Sequence, residues 1–282
     1  MRLVSFVGPQ GPTLGVRLGK EIVDCQVPPD LRPVFDGGTD VLKAIDGASH
    51  GVTSRFDGET VTRLPLVHNA NKIVCLGLNY HDHAMETGLK ATTYPAIFLR
   101  TASSLVAHGM PIVRPRNSVQ FDYEGELVAF VGRRARHVSQ SEALEFIAGY
   151  SIFNDGSIRD YQLRTSQWTL GKNFDRTGSI GPEFVSADEL PPGASGLRLQ
   201  TRLNGEIVQD ANTKDMTFDV ATTLVIVSAC MTLEPGDLLV MGTPSGVGMS
   251  RKPPLWMVPG DVCEVEIERL GTLRNTVEAD AQ

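Results

Sequence analysis

The sequence predicts an α+β protein that is rich in β-strands, and three observations support this prediction. Glycine and proline are plentiful, with 28 and 17 residues in a chain of 282, and both residues mark the turns between short strands. Most apolar stretches are short and alternate with polar residues, which is the period of a strand. Residues 218–233, FDVATTLVIVSACMTL, are apolar on every side, as expected for a buried helix.

The first 68 residues are predicted to form a small N-terminal α/β appendage. RLVSFV, TLGVRLG and EIVDCQV, which begin at residues 2, 13 and 21, have the alternation and turn residues of strands. TDVLKAIDGA, residues 39–48, has a helical pattern, and a polar stretch follows it. We therefore expect a small domain over residues 1–68 and a larger domain over residues 69–282.

The larger domain is predicted to consist mainly of strands, because its segments are short and separated by turns. The Asn204-Gly205 pair between two alternating segments predicts a hairpin. SQSEALEFIAGY, residues 139–150, has a helical period and a possible cap at Ser139 or Ser141. The other predicted segments are a strand at 72–80, a short helix at 81–88 ended by Gly88, strands at 96–107, 111–115, 121–130 and 149–155, a helix or turn at 157–164, and late strands at 236–244 and 260–277.

Composition excludes several classes of partner. The net charge is −7 and the pI is about 5.4, and without a basic stripe we expect no nucleic acid partner. No apolar run approaches the roughly 20 residues that cross a membrane, and the N-terminus lacks the apolar block of a signal peptide. The four cysteines show no CxxC spacing, so we expect reduced thiols and a cytoplasmic location. Cys75 could be a nucleophile, but its apolar surroundings favour a place in the core.

The stretch FDYEGELVAF, residues 121–130, raises the question of function. On one strand, Asp122, Glu124 and Glu126 would share a face with Val128 and Phe130, because residues two apart point the same way. Such a face is expected to be buried, and several buried carboxylates are costly unless positive charge neutralises them. Asp155 ends the predicted strand at 149–155. Glu124, Glu126 and Asp155 therefore form a candidate oxygen-rich site for Mg²⁺ or Mn²⁺, with Ca²⁺ also possible; the alternative is a solvated strand end without an ion.

Three further residues are candidates for catalysis. His83 and Glu86 are neighbours on a helix if residues 81–88 are helical, and a glutamate can orient a histidine that acts as a general base. Lys172, in QWTLGKNFD, could stabilise an oxyanion or hold a carboxylate. The alternative for residues 81–88 is an ordinary polar surface helix, and the alternative for Lys172 is a lysine at a strand edge.

The glycine-rich stretch VMGTPSGVG, residues 240–248, follows a predicted strand. It matches neither a P-loop nor a dinucleotide-binding fingerprint. Its backbone N–H groups and the Thr243 hydroxyl could bind an anion, although a plain connecting turn explains the sequence equally well.

The order of these motifs resembles that of the fumarylacetoacetate hydrolase family over about residues 70–270. The segments that carry the resemblance are KIVCLGLNYHDHAMETG, FDYEGELV, GYSIFNDGSIRDYQ, GKNFD with IGPEF, and LEPGDLLVMGTPSGVG. The resemblance implies a mixed β-roll domain, a homodimer and one Mg²⁺ or Mn²⁺ per site. It implies metal ligands at Glu124, Glu126 and Asp155, a His83–Glu86 pair on a mobile lid at 81–93, and a catalytic lysine at Lys172. Arg159, Gln162 and Thr243 are the implied substrate contacts.

Some positions depart from the family pattern, which usually reads D-V-S/T-A-R-D after the metal aspartate. This chain has DGSIRD, with Gly156 and Ile158, and it has Ser179 and His81 at two other positions where the family differs. None of these departures removes a predicted ligand. They leave the substrate open.

The resemblance implies a metal-dependent hydrolase that cleaves a carbon–carbon bond in a small 2-oxo or 1,3-diketo acid, such as an acylpyruvate or fumarylacetoacetate. The same groups could instead stabilise an enolate without adding water. Decarboxylation or tautomerisation of oxaloacetate, or isomerisation of a 2-hydroxydienoate, is therefore the alternative. A catalytically silent metal-binding protein is a third hypothesis.

Overall fold

The computed structural model describes residues 1–36, 45–47, 50–51, 54–67, 70–86 and 93–281. Strands dominate this part of the chain, which confirms the β-rich α+β prediction. The strands are β1 Arg2–Gly8, β2 Gly11–Leu18, β3 Glu21–Val27, β4 Arg55–Asp57, β5 Ile73–Gly77, β6 Ala96–Arg100, β7 Leu105–Ala107, β8 Ile112–Arg114, β9 Phe121–Asp122, β10 Gly125–Val131, β11 Ile147–Asn154, β12 Ser157–Ile158, β13 Gly178–Ser186, β14 Arg198–Leu203, β15 Glu206–Asn212, β16 Leu238–Val240, β17 Val262–Ile267 and β18 Gly271–Ala279.

Helices in the described residues are few and mostly short. The α-helices are α1 Arg32–Asp36, α2 His81–Glu86, α3 Arg159–Gln162, α4 Thr169–Lys172 and α5 Val220–Cys230. Single 3₁₀ turns occur at Ala102–Ser104, Ala143–Phe146, Ala187–Glu189, Pro192–Ala194, Thr213–Asp215 and Gly248–Ser250. No helix in these residues is long and apolar enough to cross a membrane.

Eleven of the described strands form one large sheet, with the order β4-β3-β2-β1-β13-β11-β10-β16-β5-β6 and β7 beside β13. A second sheet has the order β15-β14-β17-β18-β8, and β9 pairs with β12 alone. Strand β10 lies inside the large sheet and is buried along its whole length. Leu127, Ala129 and Val131 belong to one apolar cluster, and Val128 and Phe130 to another. The strand that leads away from Glu126 therefore separates two cores.

The N-terminal strands continue the large sheet, because β1 pairs with β13. Phe35 of α1 packs against Phe130 and Phe184, with ring centroids 6.1 and 5.3 Å away. Residues 1–36 thus share a sheet and a core with the rest of the chain. Residues 68–69, where we predicted the domain boundary, and most of the predicted helix at 39–48 lie outside the described residues. The division at residue 68 stays a prediction.

Two sequence-based assignments are wrong in detail. Residues 121–130 are two strands in separate sheets, because the chain leaves strand geometry at Tyr123 and Glu124. Residues 139–150 contain a single 3₁₀ turn at Ala143–Phe146, followed by strand β11. Pairing of β11 with β10 and β13 overrides the helical period of that segment. The hairpin is confirmed, with positive φ angles of 54° at Asn204 and 84° at Gly205, as its tight turn requires.

His108 provides a test of the packing between the N-terminal strands and β18. Burial and the positive charge of Arg63 lower the pKa of His108 from 6.5 to about 4. Its Nδ1 accepts a hydrogen bond from the Arg274 amide, 3.1 Å away, which the protonated ring could not accept. Folding therefore favours the neutral ring, and its stabilisation, present above pH 6.5, is lost as pH falls toward 4. Between pH 6.5 and 4, we expect the free energy of unfolding of His108→Asn to fall by about 2 kcal/mol less than that of wild type. Urea unfolding at the two pH values measures this difference. Equal acid-side losses in both proteins would contradict the expectation.

Candidate metal and catalytic site

The three predicted metal ligands meet at one end of β10. Glu126 is the second residue of β10, and Asp155 directly follows β11, the antiparallel neighbour of β10. The Asp155 amide donates to the Glu124 carbonyl at 2.8 Å, which joins the break before β10 to the end of β11. One carboxylate oxygen from each of the three acids lies within 4.8 Å of the others, and all three side chains are buried.

Burial and mutual repulsion affect these acids differently. Burial raises the pKa of Glu126 well above its usual range, and the charges of Asp155 and Glu124 raise it further. Burial also opposes ionisation of Glu124, but Arg159 and Lys172 outweigh it and hold the pKa of Glu124 below its usual range. The nearby cations therefore neutralise Glu124 but do not compensate the negative charge of an ionised Glu126. An all-oxygen set with unmet negative charge fits a hard divalent cation.

Two of the predicted basic residues contact the acids directly. Lys172 Nζ lies 2.6 Å from both Glu124 Oε2 and Asp155 Oδ2, so the lysine is not at a strand edge in solvent. Arg159 lies 2.7 Å from Glu124 Oε1 and donates to Gln162 Oε1 at 2.8 Å. The negative charge of Glu124 and Asp155 outweighs the effect of burial and raises the pKa of Lys172, which keeps the ammonium charged.

Sequence reasoning missed Arg100, a third buried cation at this site. Its guanidinium pairs with Asp155 Oδ1 and donates to the Gly156 carbonyl at 3.1 Å. It also donates to Thr177 Oγ1 at 3.1 Å. A Cβ at Gly156 would lie 2.0 Å from the Thr177 carbonyl oxygen, so glycine allows this close approach. No motif marks Arg100 in the sequence; only strand β6 brings it to the acids.

His83 and Glu86 lie together on α2, as the spacing predicted. His83 Nδ1 is 2.9 Å from Glu86 Oε1, and the His83 side chain is buried. The Gly246 amide also donates to both Glu86 oxygens, at 3.1 and 3.0 Å. Glu86 is therefore held from two sides and can orient the imidazole. Gly88 and the rest of residues 87–92 of the predicted lid lie outside the described residues.

The glycine-rich loop after β16 does bind anions, but they are the protein's own carboxylates. The Gly242 amide donates to Glu126 at 2.6 Å, and the Gly246 amide binds Glu86. The Thr243 hydroxyl donates to the Gly125 carbonyl at 3.0 Å and accepts from Gln209 Nε2 at 2.9 Å. Its proton is thus engaged within the protein. The loop positions the site's carboxylates.

Asp122 does not join the metal cluster, contrary to the expectation that three acids share one face. The break at Tyr123 and Glu124 turns its side chain toward other partners. Its carboxylate accepts from Arg159 Nε at 2.8 Å and from the amides of Gly248 and Met249 at 2.7 and 3.0 Å.

These groups open into one cavity of about 270 Å³. The residues that line it are Leu76, Gly77, Leu78, His83, Phe98, Glu124, Glu126, Arg159, Gln162, Leu163, Trp168, Lys172, Thr243 and Met249. Polar groups gather around the acids, and an apolar wall faces them, with Phe98 and Trp168 in edge-to-face contact at 5.7 Å. Such a cavity suits a small organic acid. The structure brings all nine predicted site residues together, while their individual roles stay predictions.

The buried acids and the His–Glu pair around this cavity form a candidate site for a small molecule, and comparisons assign the family. A family model described as the C-terminal domain of fumarylacetoacetate (FAA) hydrolase matches residues 72–278. The chain belongs to the fumarylacetoacetate hydrolase family. Its relatives include the mitochondrial oxaloacetate tautomerase of Rattus norvegicus, which is 35% identical over 98% of this chain and 91% of its own.

Solved structures agree with this assignment. The fumarylacetoacetate hydrolase of Exiguobacterium antarcticum superimposes with a TM-score of 0.88 at 35% identity, covering 99% of this chain and 100% of its own. The maleylpyruvate hydrolase of Sphingobium sp. SYK-6, in complex with manganese(II) and pyruvate, gives a TM-score of 0.83 at 28% identity over 99% of both chains. Relatives of this chain therefore include both a tautomerase and hydrolases.

Proposed function

We propose that this protein is a divalent-metal-dependent enzyme that interconverts the keto and enol forms of a small 2-oxo acid of the oxaloacetate type. One observation carries the proposal: His83, oriented by Glu86, lines the same cavity as Glu124, Glu126 and Lys172. Tautomerisation needs a base near an acid-binding centre and no attacking water. The similarity to an oxaloacetate tautomerase over nearly the whole chain supports the same choice.

Glu124, Glu126 and Asp155 would hold Mg²⁺ or Mn²⁺, and their oxygen ligands also permit Ca²⁺. A bound ion would draw electron density from the keto oxygen of the substrate. Arg159 and Lys172 fix the carboxylates of Glu124 and Asp155 from the protein side, so the site changes little when substrate enters.

Proton transfer falls to His83. With the Nδ1 proton donated to Glu86, Nε2 is the basic nitrogen and takes a proton from the carbon beside the keto group. Glu86 stabilises the imidazolium that forms. The enol is complete when a proton reaches the former keto oxygen, so no atom is gained or lost. Lys172 and Gln162 line the same cavity and would orient the carboxylate and the oxyanion. Thr243 also lines the cavity, but its hydroxyl proton is bonded to the Gly125 carbonyl, so it would contact the substrate without donating to it.

Hydrolytic carbon–carbon cleavage of an acylpyruvate is the second candidate. The apolar wall of Phe98, Leu163 and Trp168 supports it, because it could accept an acyl chain. In that reaction His83 would take a proton from water, the hydroxide would attack the distal carbonyl, and the enolate of pyruvate would leave and be protonated. The similarity to maleylpyruvate hydrolase favours the same candidate.

The two candidates predict different products. With Mn²⁺, we expect the protein to accelerate the loss of the ultraviolet absorbance of enol-oxaloacetate, and excess chelator to abolish this activity. The matched assay follows pyruvate release from an acylpyruvate. Cleavage without tautomerisation would replace the proposal with the second candidate. Failure of both assays in protein that binds the ion would favour a catalytically silent metal-binding protein.

We also propose that the protein is a homodimer. Its cytoplasmic location stays a prediction from the sequence. Among the described strands, β6 is at one edge of the large sheet, and Ile97 and Leu99 on it are 39% and 46% exposed. An exposed apolar edge strand favours pairing with another chain. The mass in solution by light scattering tests the homodimer.

A further inference from the structure

Asp122 is a buried acid that neither the ion site nor the His–Glu pair accounts for. Its side chain has no exposed surface. It accepts hydrogen bonds from two directions: Arg159 Nε at 2.8 Å on one side, and the Gly248 and Met249 amides at 2.7 and 3.0 Å on the other. The adjacent Tyr123 amide also donates to it, at 2.9 Å, and a buried carboxylate with four donors is strongly fixed.

On the first side, Asp122 determines where Arg159 lies. Nε of Arg159 is bonded to Asp122, and another nitrogen of the same guanidinium lies 2.7 Å from Glu124 Oε1. A planar guanidinium held at one edge presents its other nitrogens in a fixed direction. The position of Glu124 therefore depends on Asp122 through a single rigid group.

On the second side, Asp122 holds the loop that orients the His–Glu pair. The Gly246 amide of this loop donates to Glu86, and Glu86 contacts His83. Gly246 has a φ of +100°, and a Cβ there would lie 2.2 Å from the Val208 carbonyl. The loop is thus fitted closely between Val208 and Asp122.

We propose that Asp122 is a positioning residue that makes the two halves of the site depend on one another. Continuous contacts run from Glu124 through Arg159, Asp122 and the 246–249 loop to Glu86 and His83. The roles given to the two halves, the metal-binding acids and the His83–Glu86 pair, rest on the proposed function. The positioning role of Asp122 predicts that a change there alters α2, which Asp122 does not touch.

Asp122→Asn tests this with a matched control. An amide keeps the shape but replaces one acceptor with a donor. Oδ2 accepts from Arg159 and the Met249 amide, and Oδ1 accepts from the Gly248 amide, so either orientation of the new amide leaves one loop amide without its acceptor.

Asp237→Asn is the control, because Asp237 is also fully buried and accepts from the Lys72 and Glu234 amides and pairs with the Lys72 ammonium at 2.8 Å. Both variants disturb a comparable set of buried hydrogen bonds, but only the set around Asp122 belongs to the site.

The primary readout is amide hydrogen exchange of metal-free protein. In Asp122→Asn we expect faster exchange at residues 246–249 and also in α2, while Asp237→Asn leaves α2 as in wild type. We also expect about tenfold weaker Mn²⁺ binding and about tenfold lower kcat in Asp122→Asn, and changes within twofold in the control. Unchanged exchange in α2 together with unchanged Mn²⁺ affinity would overturn the proposal.

A second variant covers the case in which Asp122→Asn does not fold. Met249→Pro removes one amide donor to Asp122 without changing any charge. Because the Met249 side chain also lines the cavity, this variant is judged by exchange and Mn²⁺ affinity and not by kcat, and we expect the same shifts in both with smaller size. Wild-type exchange in α2 of this variant would count against the proposal. Lack of wild-type turnover would refute the proposed function alone, because exchange still decides the role of Asp122.

Discussion

Glu126→Gln is expected to bind no divalent ion and yet, with chelator present, to be at least as stable as wild type. Three carboxylates crowd together here, and burial and the charges of Asp155 and Glu124 raise the pKa of Glu126. Ionised Glu126 therefore destabilises the metal-free protein. The amide of a glutamine keeps an acceptor for the Gly242 N–H group but carries no charge.

The pH dependence of this effect has a definite sign. The folded-state pKa of Glu126 lies above its ordinary value of 4.5. Its protonated form stabilises wild type fully below pH 4.5, and this stabilisation is lost as pH rises through the folded pKa. In chelator, the advantage of Glu126→Gln should therefore grow as pH rises. The matched control is Glu183→Gln, which removes a buried acid paired with Arg2 and Arg17.

Addition of Mn²⁺ should make wild type more stable than Glu126→Gln, which is the reverse of their order in chelator. An ion at a hundred times its Kd stabilises the folded protein by about 2.7 kcal/mol. We expect this gain in wild type and in Glu183→Gln, and none in Glu126→Gln, measured by thermal unfolding. An equal gain in Glu126→Gln would show that the ion binds elsewhere.

His83→Ala is expected to reduce kcat by about 10²- to 10⁴-fold, the range of a lost general base. Mn²⁺ affinity should stay near wild type, because no ligand of the ion changes. Glu86→Gln should cost less, about tenfold, since the imidazole stays and loses only its charged partner.

The control for this series is His81→Ala, on the same helix. The His81 side chain is 68% exposed and pairs weakly with Asp82 at 3.6 Å. We expect its kcat to lie within a factor of about two of wild type, as is usual for exposed positions. Equal losses in both histidine variants would mean that α2 is merely sensitive to substitution.

Local sequence was enough to predict much of the site. Glu124 and Glu126 lie two apart, and Asp155 ends the neighbouring strand, so pairing of β10 with β11 brings them together. The bounds of β3 match the predicted segment, and the Asn204-Gly205 hairpin needed only its turn chemistry. His83 and Glu86 needed only a helical turn between them.

What the sequence could not predict depends on distant packing. Asp122 has the same spacing from Glu124 as Glu126 has, and only the interruption at Tyr123 separates its role from theirs. Arg100 contacts Asp155 across 55 positions of chain without a motif. The segment at 139–150 has a helical period, but it forms only a 3₁₀ turn, and pairing with strands on both sides makes its last four residues the start of β11.

The metal centre is the central claim, and isothermal titration of Mn²⁺ into chelator-treated protein tests it most directly. Wild type and the Glu124→Ala/Glu126→Ala double variant are compared, with thermal unfolding as a check that the variant is folded. We predict one site per chain in wild type and no binding in the folded double variant. No binding in wild type, or full binding in the double variant, would contradict the account.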